Sequence, residues 1–110
     1  MKFDIIKNKY PKSIEVLYTW IKQLMKNTGA TDEQLSVLPP DTLEMIARMS
    51  IETNPRCLFD FLDSYEIYLL VNREGSKWYF MKGINVYNTR LEAENDGFEN
   101  CFSILENKLG

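Results

Sequence analysis

Three carboxylates stand close together beside aromatic residues: Asp60 and Asp63 in "LFDFLDSYE", with Glu66 three positions on. Carboxylates three apart on a helix share a face, which is what a shared divalent cation or an acid–base pair requires. The same spacing describes a solvated helix edge, with Asp63 close to the helix end, and that plainer reading is favoured. The chain contains no histidine. Its absence removes the commonest general base near neutral pH, the Ser–His and Cys–His pairs, and histidine-based zinc sites. "REGSK" lacks the spacing of a phosphate-binding loop and reads as a turn. Carboxylate, lysine or tyrosine chemistry survives these exclusions, but an enzyme is not expected, and no cofactor or metal is assigned.

Basic and aromatic groups interleave at Lys77, Trp78, Tyr79, Phe80 and Lys82, as they do on base-stacking platforms. Strand alternation turns Trp78 and Phe80 away from Tyr79, so no three of these aromatics share a face. The net charge of −3 also opposes the electrostatic attraction that dominates nucleic-acid affinity. A weak nucleic-acid binder using Lys22, Lys26, Lys77 and Lys82 is therefore the alternative reading. Residues 1–30 carry six lysines against two acids (+4), residues 31–71 two arginines against eight acids (−6), and the remainder −1. An acidic mimic of nucleic-acid phosphates would need the middle acids gathered on one face, whereas they fall on separate helix exteriors. Ordinary solvated faces are expected.

At 110 residues, 45% hydrophobic and 26% charged, the chain is expected to form one folded domain, 1–110. The longest apolar run, 67–71, is strand-sized, so no membrane span is expected. "MKFDIIKNKYPKS" lacks a long apolar segment followed by small residues, no secretory signal is read, and a cytoplasmic location is expected. Cys57 and Cys101 then read as reduced core thiols on helices rather than a disulfide.

The elements that must position these residues follow from periodicity. The first long helix starts near Pro11, with Ile14, Leu17, Tyr18, Ile21, Leu24 and Met25 on one side, Trp20 and Val16 beside them, Lys22 and Lys26 outside, and Gly29 as a stop. Thr31 with Gln34 forms a capping-box pattern for a short helix that Pro39 and Pro40 end, and Asp41 with Glu44 repeats the pattern. The next helix carries Asp41, Glu44, Arg48 and Glu52 on a narrow polar stripe and is otherwise apolar, which predicts a central position. Asn54 and Pro55 open a further helix with Leu58, Phe61 and Leu62 inside and Phe59 without an obvious place. Thr89 and Glu92 cap the clearest helix, striped by Leu91, Phe98, Cys101, Phe102, Leu105 and Leu109. Gly97 in its middle reads as close packing against the hairpin or a mild bend.

Between these lies "EIYLLVNREGSKWYFMKG", residues 66–83, read as an antiparallel hairpin that is apolar on both faces. A four-residue "REGS" loop pairs Asn72 with Lys77, Val71 with Trp78, Leu69 with Phe80 and Ile67 with Lys82, and on the other face Leu70 with Tyr79 and Tyr68 with Met81. "INVYN" reads as a bent strand or a loop. The fold class is α+β, with a helical N-terminal half, a short hairpin and a long C-terminal helix.

The stretches "LFDFLD", "IYLLV", "WYF" and "TRLEAENDGFENCFSILENKL" resemble a recurring pattern in small proteins encoded by bacteriophages and prophages. The resemblance covers residues 57–109, implies a phage-type origin and names no activity. Gly97 departs from it, since alanine is usual there.

The hairpin face bearing Leu69, Val71, Trp78 and Phe80 has the larger side chains and is assigned to the core. The face bearing Tyr68, Leu70, Tyr79 and Met81 is left over, to be covered within the monomer by the basic N-terminal helix or the "INVYN" segment, or else by another chain, and tyrosine and methionine are enriched at protein interfaces. A non-enzymatic accessory protein acting through protein–protein contact at these four residues is therefore expected, with another protein or a second copy as the partner.

Overall fold

The computed structural model describes residues 2–39, 41–81 and 85–110. It is an α+β fold in which six helices and one two-stranded hairpin appear in the order α1 (Phe3–Lys9), α2 (Pro11–Asn27), α3 (Asp32–Ser36), α4 (Thr42–Thr53), α5 (Phe59–Asp63), β1 (Asn72–Glu74), β2 (Lys77–Tyr79) and α6 (Arg90–Leu109), with a 3-10 turn at Pro55–Leu58 before α5. Phe98, Cys101, Phe102 and Leu105 of α6 are buried, and Ile14, Leu17 and Ile21 of α2 join them in one core with Leu58, Phe61 and Leu62. Phe59 finds its place against Phe98, ring centroids 5.3 Å apart.

Helix α1 precedes the element expected to come first. Phe3 and Ile6 are buried three positions apart, and α4 holds the helix in place. Arg48 donates to both carboxylate oxygens of Asp4 (2.8 and 3.2 Å) and its guanidinium lies 4.9 Å from the Phe3 ring centre. Glu52 accepts the Phe3 N–H at 2.9 Å, and Lys7 bridges to Glu44 at 3.3 Å. The expected i,i+4 pairs of Arg48 with Glu44 and Glu52 are present at 3.6 Å. The polar stripe of α4 is thus a seat for α1. Helix α4 is not central, because Met45 and Met49 are 57% and 59% exposed.

Tyr10 precedes α2 and supplies no side-chain cap. Glu106 of α6 does this from across the interface: it accepts the Lys12 N–H at 3.2 Å, the Ser13 N–H at 2.8 Å and the Ser13 hydroxyl at 2.9 Å. A carboxylate at a helix N-terminus satisfies orphan donors and favours the dipole. The Thr31–Gln34 capping box forms as expected. Asp41 and Asn54 cap nothing with their side chains, and Pro40 lies outside the described residues. At α6, Thr89 accepts the Glu92 N–H at 3.2 Å. Leu91, expected in the apolar stripe, is 62% exposed.

The hairpin is shorter than 66–83. Asn72 pairs with Tyr79, Arg73 with Trp78 and Glu74 with Lys77, across a two-residue loop. Gly75 is the first central residue, with φ 63, where a II′ turn takes glycine. The register therefore differs by two from the expected Asn72–Lys77 pairing. An even shift preserves which residues share a face. Residues 67–71 lie in neither helix nor strand, so the pairings expected for Leu69, Leu70 and Val71 are not made. Lys82 and Gly83, and any pairing through them, lie outside the described residues, as does Ile84 of "INVYN". From that segment Tyr87 bridges to the free side of β2, exchanging hydrogen bonds of 2.9 and 2.8 Å with Trp78.

Candidate interaction surface

The chain reverses direction after α5. Glu66 adopts a left-handed conformation (φ 58), and the Ile67 N–H returns to the Leu62 carbonyl at 3.1 Å. The segment that follows runs back along α6. Lys108 near the helix end donates to the Tyr65 carbonyl at 2.9 Å. Leu69 lies on Gly97, where a Cβ would stand 2.5 Å from Leu69 Cδ1 and 3.3 Å from Phe80 Cγ. Further on, the Arg90 guanidinium lies 5.9 Å from the indole centre of Trp78, the cross-strand partner of Arg73. Burial alternates accordingly: Ile67 is buried, Leu69 and Val71 are half-buried, and Tyr68 and Leu70 are 68% and 74% exposed. That period of two is the mark of an extended chain with one packed face.

Of the four residues expected at an interface, Tyr68, Leu70 and Met81 are exposed and Tyr79 is half-buried. Tyr68 and Leu70 belong to the extended segment, Tyr79 to β2, and Met81 follows β2. The larger side chains of the other face, Leu69, Val71, Trp78 and Phe80, are all half-buried. Phe80 stacks on Tyr87 at 6.0 Å.

The lysines of the nucleic-acid reading fall in separate places. Lys22 and Lys26 line a shallow depression with Asp32 and Leu35 of the α3 region, and Lys26 pairs with Asp32 at 2.6 Å. Lys77 is bonded to Asn88, and Lys82 lies outside the described residues. Three of the four arginines collect elsewhere. Arg56 and Arg90 both hold the buried Glu94 carboxylate, at 2.9 and 3.0 Å, and Arg73 and Arg90 both approach Trp78. Glu94 is a buried charge that requires such partners. Its helical spacing to Arg90 was visible in the sequence; Arg56 is 38 positions away and was not.

Asp60, Asp63 and Glu66 are exposed, and among the described residues no group of three His, Cys, Asp or Glu is placed to hold a metal. Cys57 is exposed rather than a core thiol, while Cys101 is buried, and both are free. Burial pushes the Cys101 thiol up to about 11. Cys57 stands at the edge of an apolar groove of about 460 Å³ lined by Trp20, Leu24, Met25 and Ile46. Leu24, 43% exposed, extends the α2 stripe past the core into this groove. Among the described residues no helix is long and apolar enough to cross a membrane.

Compared with protein-family models, with curated proteins and with solved structures, the chain matches none.

Proposed function

We propose that the protein is a non-enzymatic accessory domain, cytoplasmic and of phage type, that works by protein–protein contact through the outward side of residues 68–81. The observation that carries this reading is the exposure of Tyr68 and Leu70 on a segment whose intervening residue, Leu69, is packed onto α6. Holding two large apolar side chains in water on an ordered support is unfavourable unless another surface covers them. Met81, 44% exposed, and the half-buried Tyr79 add to the same set of interface-favoured residue types. The resemblance of residues 57–109 to phage-encoded proteins supports the setting.

A photo-reactive amino acid placed at Tyr68 or Leu70, in cells expressing the chain, tests the reading. Discrete protein adducts are expected at these positions and not at Glu33, an exposed polar control on α3. Equal and diffuse labelling at all three positions would overturn it.

A further inference from the structure

The segment that exposes Tyr68 and Leu70 also exposes its main chain. Among the described residues, strand β1 has β2 on one side only, and the far side of β2 is taken by Tyr87. The N–H and C=O of Trp78 both point to Tyr87, so in the Arg73–Trp78 pair the backbone groups turn away from each other. Those of Arg73 therefore face the open edge, and by alternation so do those of Val71 and Leu69. Among the described residues, no backbone or side-chain group hydrogen-bonds the main chain of residues 68–71. Four such residues present roughly 13 Å of unpaired edge, and an unpaired edge is a template for another strand.

The ends of this edge carry opposite charge. Asp63 and Glu66 precede it, exposed and without an ion pair among the described residues, while at its other end Arg73 and Lys77 outnumber Glu74, and Arg90 across Trp78 is already paired with Glu94. An antiparallel partner of the same sequence sets the acidic end of one chain beside the basic end of the other. A two-fold axis perpendicular to the edge also keeps inward residues inward, so paired positions must have the same parity. Centring on Leu70 would oppose Glu66 to Glu74. Centring on Leu69 opposes Tyr68 to Leu70 twice and leaves each Leu69 on its own Gly97.

Building on the contact surface assigned above, we propose that its partner is a second copy of this chain, paired antiparallel along residues 67–71 about Leu69. The two paired segments then join the hairpins end to end across the two-fold axis, with both α6 helices on the same face. Leu69 hydrogen-bonds its counterpart, and Tyr68 meets the partner's Leu70 in the closely spaced, non-hydrogen-bonded position, where Cα atoms stand about 4.5 Å apart.

That separation lies within disulfide reach, and an equimolar mixture of two variants tests the register. Both carry Cys57→Ser to remove the exposed native thiol; one adds Tyr68→Cys and the other Leu70→Cys. Far-UV circular dichroism checks that both fold. Light scattering on the wild-type chain should show molar mass rising to that of a dimer with concentration. On mild oxidation the mixture should give several-fold more cross-linked dimer than either variant alone. A wild-type dimer without that enrichment overturns the pairing and leaves the contact surface standing. A strict monomer whose photo-adducts contain a different protein overturns self-pairing alone. A strict monomer with no position-dependent adducts overturns both.

Discussion

Leu69 lies so close to Gly97 that a Cβ on the glycine would stand 2.5 Å from Leu69 Cδ1 and 3.2 Å from Cδ2. Glycine inside a helix costs about 1 kcal/mol relative to alanine, so Gly97 is kept against the preference of α6 itself. What offsets the cost is the approach of the extended segment, which brings a leucine and Phe80 directly onto the helix backbone. This contact sets the alternation of residues 67–71 and hence the exposure of Tyr68 and Leu70.

Gly97→Ala should therefore destabilise the chain by about 1 kcal/mol despite the gain in helix propensity, because the end of the Leu69 side chain must leave its seat on α6 and Phe80, 3.3 Å from the added Cβ, must give as well. Phe80 is already stacked on Tyr87. Adding Leu69→Ala to Gly97→Ala should cost less than Leu69→Ala costs alone, since it relieves the clash. Urea denaturation of the four members of this cycle gives the coupling. If Gly97→Ala stabilises the chain, the close approach is not a constraint on the fold.

The contact between α2 and α6 is expected to weaken in acid. Burial raises the Glu106 pKa, but the Ser13 and Lys12 donors outweigh it and hold the carboxyl below its ordinary value of 4.5. A group depressed on folding contributes stability that is full above its unfolded pKa and lost as pH falls through the folded one. Glu106→Gln should cost about 1–2 kcal/mol near neutral pH, as expected for hydrogen bonds to a charged group. The difference between wild type and variant should shrink once the pH drops below about 4.5. Urea midpoints across this range read it out, and a difference that stays constant with pH would show that the charge on Glu106 plays no part.

Much of this arrangement is legible in the sequence, and what is not has identifiable causes. Helix α6 is readable because Thr89 and Glu92 mark its start and Phe98, Cys101, Phe102 and Leu105 keep helical spacing. The close approach at Gly97 and the two faces of residues 67–72 are readable from residue size and alternation. Helix α1 is only seven residues long, too short to persist by propensity. It is held by Arg48 and Glu52, more than forty positions away. The alternation of 66–83 is real, but it does not distinguish a strand paired to a neighbour from an extended chain lying on a helix. Leu69 is held by α6, and the paired hairpin shrinks to the residues nearest Gly75. The glycine marked the turn, but the number of residues around it decided the register, and "REGS" fits either length. For Leu91 the helical stripe predicts the right face, but the residue lies in the first turn, beyond where the core begins.

The two cysteines, expected to behave alike, should differ in reactivity. Cys101 is 2% exposed, and burial raises its thiol to about 11, so both access and thiolate are suppressed. Cys57 is exposed at the 3-10 turn, beside the apolar groove. With a chromogenic disulfide reagent at mildly alkaline pH, the folded chain should release one equivalent of product quickly and the second only as it unfolds. Cys57→Ser should abolish the fast phase, and urea should restore reaction at Cys101. Because the slow phase tracks opening of the α6 core, it should accelerate in Glu106→Gln at neutral pH, where the bond to Ser13 no longer carries a charge. Two fast equivalents from the folded wild type would mean that the core around Phe98 and Phe102 is open to solvent.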